Sequence, residues 1–465
     1  MSQKNENVKV VIDKVAATED CLSSRGGLAL ISRYIKSTKI VQILADRFSF
    51  IRKSSKGIGL LTLFQQLICF FFDGSYFHLT GFDHLAKDKG YAAAIETPDN
   101  KMVSSHSVKR FFKSIDKIKV RLFREVLHQL LIWRLNIEKP EIIKLGIDTM
   151  VLDNDEALKR EGVDPTYKKV KGFQPLQMYW GRYIVDAIFR NGKAHSNHGN
   201  HVVTMVTKVV KLIRKNYLND VPILLMADTG FFDIKLLKRF DELKIGFVIG
   251  GKMYSDIKDA IADTPDEEFY KYKKKNKTWF YTEFMDKRKS WDTEWRAIYS
   301  KPISDDNGQV LLEFARPETI IYTNIGMNNE ITKKILSIKN TTETIINPQA
   351  IISLYHERGR DELVNRGLKD FGNEQLPFKR FAANSAFYYM MVISFFLFET
   401  FKYDMDCEII PLQWYAGSFR RLCLDIAGKI VRTGRQVILK IAKAIFEELN
   451  FGLLWIKSIC RIPIQ

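Results

Sequence analysis

The spacing of hydrophobic positions changes more than once along this chain. From Gly26 to about Glu138 apolar residues recur at helical intervals. Leu28, Ile31, Ile35, Ile40, Val41 and Leu44 predict one or two short amphipathic helices, and residues 60–72 predict a buried helix that stops at Asp73-Gly74. Val108, Phe111, Phe112, Ile115, Ile118, Leu122, Val126 and Trp133 predict one further helix starting near Ser105. At Pro140 short apolar runs bounded by turn residues take over, which is the signature of strands. The first, residues 142–147, ends at Asp148-Thr149. Residues 173–180 and 183–189 follow, joined by Gly181-Arg182 as a hairpin turn. A helix over 202–216, a strand over 221–226 ending at Ala227-Asp228, a helix over 234–243 and a strand over 246–249 complete an α/β unit. Both aspartate motifs fall at the C-terminal ends of strands, where open α/β sheets bind their ligands.

Past Lys252 the composition shifts. Residues 271–277 are rich in lysine, and Trp279, Trp291 and Trp295 are interleaved with charge. Strands over 295–299, 310–314 and 319–323 predict a mostly β insert. A helix starts after Asn347-Pro348, and a long apolar helix covers 382–401. The tail reads as helical and basic, through Arg420, Arg421, Lys429, Arg432, Arg435, Lys440 and Lys443. The resulting division is a polar lead-in (1–25), a helical region (26–139), an α/β unit (140–251), a β-rich insert (252–346), a helical continuation (347–403) and a basic helical tail (404–465). The run 60–72 is too short to span a bilayer. The run 382–398 holds Asn384 and Ser385 and meets Glu399, so both are read as buried core helices with no membrane partner.

Charge narrows the partner. A net charge of +18 suits a polyanion, either nucleic acid or an anionic membrane surface. Ser104, Ser105 and Ser107 precede a helix that exposes Lys109, Arg110 and Lys113, a pattern shared by the second helix of a helix-turn-helix and by ordinary surface helices. The five cysteines are scattered, odd in number and without a Cys-x-x-Cys pair, so a disulfide scaffold or zinc ribbon is not expected and a reducing compartment is. The N-terminus has no basic start or apolar run of a signal peptide. His195, His198 and His201 have a repeating spacing, but no cysteine or fourth histidine is nearby to complete a zinc site. The glycines of residues 246–251 lack the lysine-serine/threonine of a phosphate-binding loop.

The remaining chemistry lies in residues 355–369. On a helix, Tyr355, Arg358, Glu362 and Lys369 fall within about 60° of one another. Such a face is either a solvated ion-pair ladder or the wall of a phosphate site. Asp148 and Asp228 favour the second. Three carboxylates brought together repel one another and normally hold divalent cations, with oxygen ligands favouring Mg²⁺ or Mn²⁺. Two such ions about 4 Å apart support in-line phosphoryl transfer. Asp153 and Asp155 lie close to Asp148 in a more polar stretch, and Asp148 is preferred because it ends the apolar strand.

Tyr355-(2)-Arg358-(3)-Glu362-(6)-Lys369 resembles the Y-(2)-R-(3)-E-(6)-K signature of DDE transposases of bacterial insertion sequences, in the superfamily of insertion sequence family four. Ile147-Asp148-Thr149 and Ala227-Asp228-Thr-Gly-Phe231 are similar to that superfamily's two aspartate blocks, and residues 172–176 and 381–384 also look like family blocks of the thirteen-eighty branch. The resemblance covers about residues 26 to 400. It implies a ribonuclease-H-like core interrupted by the β insert, with Asp148, Asp228 and Glu362 binding two Mg²⁺ or Mn²⁺ ions. It implies cleavage of double-stranded DNA at terminal inverted repeats and strand transfer to target DNA, by a homodimer in the bacterial cytoplasm at the nucleoid. Tyr355, Arg358 and Lys369 would hold phosphates, and Trp279, Trp291 and Trp295 are the candidates for stacking a flipped base. Two other readings stay open: a catalytically silent DNA-binding descendant, and a metal-dependent nuclease without strand transfer.

Overall fold

The computed structural model describes residues 12–51, 57–157, 159–197, 199–305, 307–312, 316–338, 343–460 and 462–464. A nine-stranded mixed sheet forms its centre. In chain order the strands are β1 (Ile143–Thr149), β2 (Leu176–Trp180), β3 (Tyr183–Ile188), β4 (Ile223–Ala227), β5 (Gly246–Gly250), β6 (Tyr270–Lys274), β7 (Lys277–Asp286), β8 (Trp295–Pro302) and β9 (Thr319–Thr323). In space they run β6-β7-β8-β9-β5-β4-β1-β2-β3. The β1–β4 and β4–β5 pairs are parallel, and the other neighbours are antiparallel. The fold is thus mixed α/β.

The strands of the stretch 252–346 extend this sheet, because β9 pairs with β5. β6 and β7 were not expected from sequence, where their lysines masked the alternation. Of the strand expected over 310–314, Val310 forms a single bridge to Ser304, and residues 313–315 lie outside the described residues.

Among the described residues seven α-helices precede the sheet: α1 (Leu28–Ser37), α2 (Ile40–Arg47), α3 (Leu60–Asp73), two short ones (Gly81–Leu85 and Lys89–Ala94), α4 (Ser105–Lys113) and α5 (Val120–Glu138). The single helix expected from Ser105 is therefore two. Asp116 Oδ1 accepts the N–H groups of Ile118 (3.0 Å) and Lys119 (2.9 Å), closing a turn between them. A local carboxylate has replaced two helical hydrogen bonds, while the apolar spacing continues across the break. α6 (His201–Asn216) and α7 (Ile234–Glu242) lie between strands, and α8 (Pro348–Glu357), α9 (Gly359–Phe371) and α10 (Phe381–Asp404) follow the sheet.

α10 is long and apolar enough to cross a membrane, yet 94% of its apolar window is buried inside the protein. It packs on α3, α4, α5 and β3. A helix that is apolar on all sides needs such enclosure. Strand alternation divides the core over the sheet's two faces. Leu224 and Met226 of β4 join Val248, Ile351 and Ile352 under α8. Leu225 and Ala227 belong with Val206, Leu236 and Leu237 of α6 and α7.

The tail departs from the all-helical expectation. Residues 428–441 form a hairpin, β10 (Gly428–Thr433) and β11 (Gln436–Ile441), which adds to the short strand Cys21–Ser23 in a separate sheet. Gly434, at φ 55°, makes the tight turn.

Two half-buried arginines tie the helices to this frame. Arg420 donates to the carbonyls of Phe71 and Phe72 at the end of α3 and of Asp370 and Phe371 at the end of α9, capping two helices at once. Asp186 of β3 is fully buried and receives two bonds of 2.6 Å from Arg124 of α5, with His128 Nε2 at 3.1 Å. Burial alone would raise the Asp186 pKa, but the facing His128 and Arg124 hold it at about 2. Removing one partner of a buried pair leaves the other charge uncompensated. Asp186→Ala is therefore expected to lower the unfolding free energy by about 3–5 kcal/mol in urea titrations. A loss below about 1 kcal/mol, the scale of an exposed pair, would contradict this role.

Candidate active site

The site begins with strand register. In the parallel β1–β4 pair Ile147 lies opposite Ala227. The next residues, Asp148 and Asp228, therefore sit level at the ends of neighbouring strands whose backbones are about 4.8 Å apart. Asp228 accepts the Gly230 N–H at 2.9 Å and opens a short 3₁₀ turn, Thr229–Phe231. Asp148 Oδ1 accepts the Thr149 N–H at 2.7 Å, and Oδ2 accepts Asn365 Nδ2 at 3.2 Å.

Ile143, Leu145 and Ile147 of β1 enter the core. Lys144, Gly146 and Asp148 take the opposite face and meet α8 and α9 in three successive rungs. Lys144 Nζ pairs with Glu357 at 3.2 Å. Gly146 receives the Asp361 carboxylate so closely that a methyl group there would overlap it. Asp148 receives Asn365. Four helical residues rise about 6 Å and two strand residues about 6.6 Å, so each rung repeats the last.

The stretch 355–369 is not one regular helix. At Arg358 the backbone stays right-handed (φ −55°, ψ −29°), but its N–H bonds Tyr355 O (3.2 Å) and its carbonyl accepts Asp361 N–H (2.9 Å). These three-residue steps tighten the turn between α8 and α9. Glu362 is exposed, while Tyr355, Arg358 and Lys369 are half-buried. The Arg358 guanidinium lies 5.5 Å from the Tyr355 ring centre. A methyl group at Gly250, which ends β5, would come within 2.5 Å of the Tyr355 hydroxyl and 2.6 Å of Thr229 Oγ1, beside Asp228. Lys369 is occupied by Glu374 at 2.7 Å, and Glu374 also accepts the Asp153 N–H at 3.2 Å.

Electrostatics join the three acids. Burial and the charges of Asp228 and Glu362 push Asp148 up to about 6, against the Thr149 N–H and Arg358. Burial, Asp148 and Glu362 raise Asp361 to about 7, again against Arg358. Partial burial and the charges of Asp148, Asp228 and Glu362 raise the Tyr167 hydroxyl pKa. Asp153 and Asp155 are exposed and close a small turn through Asp155 N–H to Asp153 Oδ1.

Among the described residues no group of three His, Cys, Asp or Glu side chains forms a ready metal cage. The donor set nonetheless suits a hard divalent cation, because it offers carboxylate oxygens and a mutual repulsion that a cation would relieve. His195 and His201 flank the loop before α6, and His198 lies outside the described residues.

The other sequence candidates are spread out. Lys109, Arg110 and Lys113 lie on α4, which packs on α10, and the Lys113 carbonyl accepts Arg380 at 3.3 Å. Trp279 stacks with Tyr272 and packs on His356, one residue from Tyr355. Trp291 meets Phe232 and Tyr322, and Trp295 is enclosed against Phe247. Four residues near the acids were not anticipated: Asp361, Asn365, Tyr167 and Arg190. Buried Arg190 donates to Thr149 Oγ1 and to the carbonyls of Gln174, His195 and Ser196, bracing the end of β1. The only hint for Asp361 and Asn365 was their place beside Glu362.

Fold and site together define an α/β protein with two strand-end aspartates and a helical glutamate in one electrostatic neighbourhood. The family described as transposase DDE domain group 1 matches residues 5–455, and the chain belongs to that family. No curated protein matches. Among solved structures, a piggyBac transposase synaptic complex with hairpin DNA has 11% identity and a TM-score of 0.40, over 96% of this chain and 88% of that one.

Asp361 gives this site a pH signature. Its carboxyl ionises near 3.8 when unfolded and near 7 when folded. Between these values the unfolded state binds fewer protons, so stability falls as pH rises and levels off above about 7. In thermal unfolding without divalent cations, Asp361→Asn should have a shallower fall over that range than the parent. An unchanged slope would place the raised carboxyl elsewhere.

Proposed function

We propose that this chain is a transposase of the insertion sequence family four superfamily, thirteen-eighty-like, which cuts DNA at terminal inverted repeats and joins the freed 3′-hydroxyl to target DNA. The observation that carries this reading is the level placement of Asp148 and Asp228 on parallel strands, with α9 bringing Glu362 alongside. Asp148, Asp228 and Glu362 would hold two Mg²⁺ or Mn²⁺ ions, which when bound activate a water or 3′-hydroxyl and stabilise the leaving oxygen. The reading takes β3-β2-β1-β4-β5 with α9 as a ribonuclease-H-like core and residues 252–346 as its insert.

Around the acids, the chain's own groups address the DNA backbone. Arg358 presents a planar fork suited to a phosphate, and its buried Nε has no hydrogen-bond partner among the described residues. Tyr355 supplies a hydroxyl beside Thr229. Lys369 supplies a point charge once a phosphate competes with Glu374. The charge of +18 favours double-stranded DNA over the whole surface, and Lys109, Arg110 and Lys113 are proposed phosphate contacts on α4. Trp279 is the favoured base-stacking candidate, since its ring packs on His356 of α8. A homodimer pairing two DNA ends, at the bacterial nucleoid, belongs to the same reading.

The test uses a labelled transposon-end duplex with Mg²⁺. Asp148→Asn, Asp228→Asn and Glu362→Gln should each abolish cleavage while gel shifts still report end binding. Cleavage that persists in any of the three would refute its place in the site. A parent that binds ends without cutting would favour the silent DNA-binding reading, and one that cuts without joining would favour a nuclease.

A further inference from the structure

Asp148 is the end of a chain of polar groups that runs from α10 over β2 to α9 on one face of the sheet, where Asp148 lies opposite Gln177 and Gly146 opposite Tyr179. Asn365 Nδ2 of α9 donates to Asp148 Oδ2 at 3.2 Å. Asn365 Oδ1 lies 2.7 Å from the Tyr179 hydroxyl of β2. Gln177, also on β2, has its Nε2 2.6 Å from the Tyr388 hydroxyl of α10 and its Oε1 2.6 Å from the Tyr179 hydroxyl. Gln177, Tyr179 and Tyr388 are fully buried.

Proton counting gives this chain a direction. Tyr179 has one proton and faces two amides, so it satisfies only one amide oxygen. A half-turn of an amide exchanges its oxygen and nitrogen. With the Gln177 amide turned by that half-turn and Asp148 ionised, no two oxygens meet without a proton between them: Tyr388 donates to Gln177, Gln177 to Tyr179, Tyr179 to Asn365, and Asn365 to Asp148. Every donor then points towards the carboxylate. The Asn365 amide is held with its N–H groups outward because Tyr179 occupies its oxygen.

We propose that Asn365 is a positioning residue for Asp148, oriented by Tyr179, Gln177 and Tyr388. The claim rests on the reading of Asp148 as a cation ligand. With the Thr149 N–H on Oδ1 and Asn365 on Oδ2, the carboxylate plane is fixed at both oxygens before any cation arrives. Its unused lone pairs are thereby aimed. The same bond is the last rung joining α9 to β1, so the ligand on the strand and Glu362 on the helix are set by one contact. Outer partners of this kind orient ligands and tune their affinity for metal.

The test compares Asn365→Ala, Tyr179→Phe, their double variant and Asp148→Asn in the full-length protein. Three quantities are measured: Mn²⁺ affinity by electron paramagnetic resonance without DNA, end cleavage, and thermal unfolding without metal. Asn365→Ala should weaken Mn²⁺ binding and slow cleavage by about 10–100-fold. Tyr179→Phe should lose less, and adding it to Asn365→Ala should cost no further Mn²⁺ affinity, whereas a purely structural role would move only the unfolding temperature. Parent-like Mn²⁺ binding and cleavage in Asn365→Ala, alongside an inactive Asp148→Asn, would overturn the positioning role alone. Unchanged Mn²⁺ binding and cleavage in Asp148→Asn would overturn the underlying assignment instead. If Asn365→Ala does not fold, Tyr179→Phe carries the test: weakened Mn²⁺ binding supports the role, and parent-like binding refutes it.

Discussion

A helix advances about 1.5 Å per residue and a strand about 3.3 Å, so a helix laid along a strand can keep step four residues to two. The candidate site depends on that match. Lys144, Gly146 and Asp148 leave β1 on one face and meet Glu357, Asp361 and Asn365. The middle rung needs glycine, because the helix comes close enough for Asp361 to fill the space of a side chain. The outer rungs are a salt bridge and a hydrogen bond. Together they set the height of Glu362, one residue past Asp361, against Asp148 and Asp228. Arg420 at the C-terminal end of α9 prevents the helix from drifting along its axis, because it also holds the end of α3.

The cost of this arrangement is negative charge. Asp148, Asp361 and Glu362 crowd a partly buried space, and Asp148 and Asp361 are both driven above the ordinary carboxylate range. Arg358 is the cation that opposes them. It stands where the helix tightens, between Glu357 and Asp361, with its guanidinium against Tyr355. A site built this way is poised to accept positive charge, whether from metal ions or from its own protons.

Much of this was legible in the residues. An apolar run of β length ending in Asp148 or Asp228 specifies both a strand and the place of its acid, whereas the single helical face expected for Tyr355, Arg358, Glu362 and Lys369 is divided between α8 and α9. The parts that were not legible depend on distance through space. Nothing in the sequence says that Tyr179 reaches Asn365, or that Gly146 makes room for Asp361. The break at Arg358 depends on a local tightening that side-chain spacing does not report. Asp116 stops a helix whose apolar spacing continues, and Gly434-Arg435 turns a hairpin in a tail whose charges hid its alternation. The extension of the sheet through β9 required a pairing with β5 far away in the chain.

The most direct measurement is iron-directed cleavage of the protein itself. Fe²⁺ replaces Mg²⁺, ascorbate and peroxide generate hydroxyl radicals at the bound ion, and the backbone cuts are mapped by mass spectrometry. Cuts next to Asp148, Asp228 and Glu362 together, suppressed by excess Mg²⁺, are predicted if one site unites the two strand ends and the helix. Cuts at only one of these segments, or a pattern that Mg²⁺ does not suppress, would contradict it.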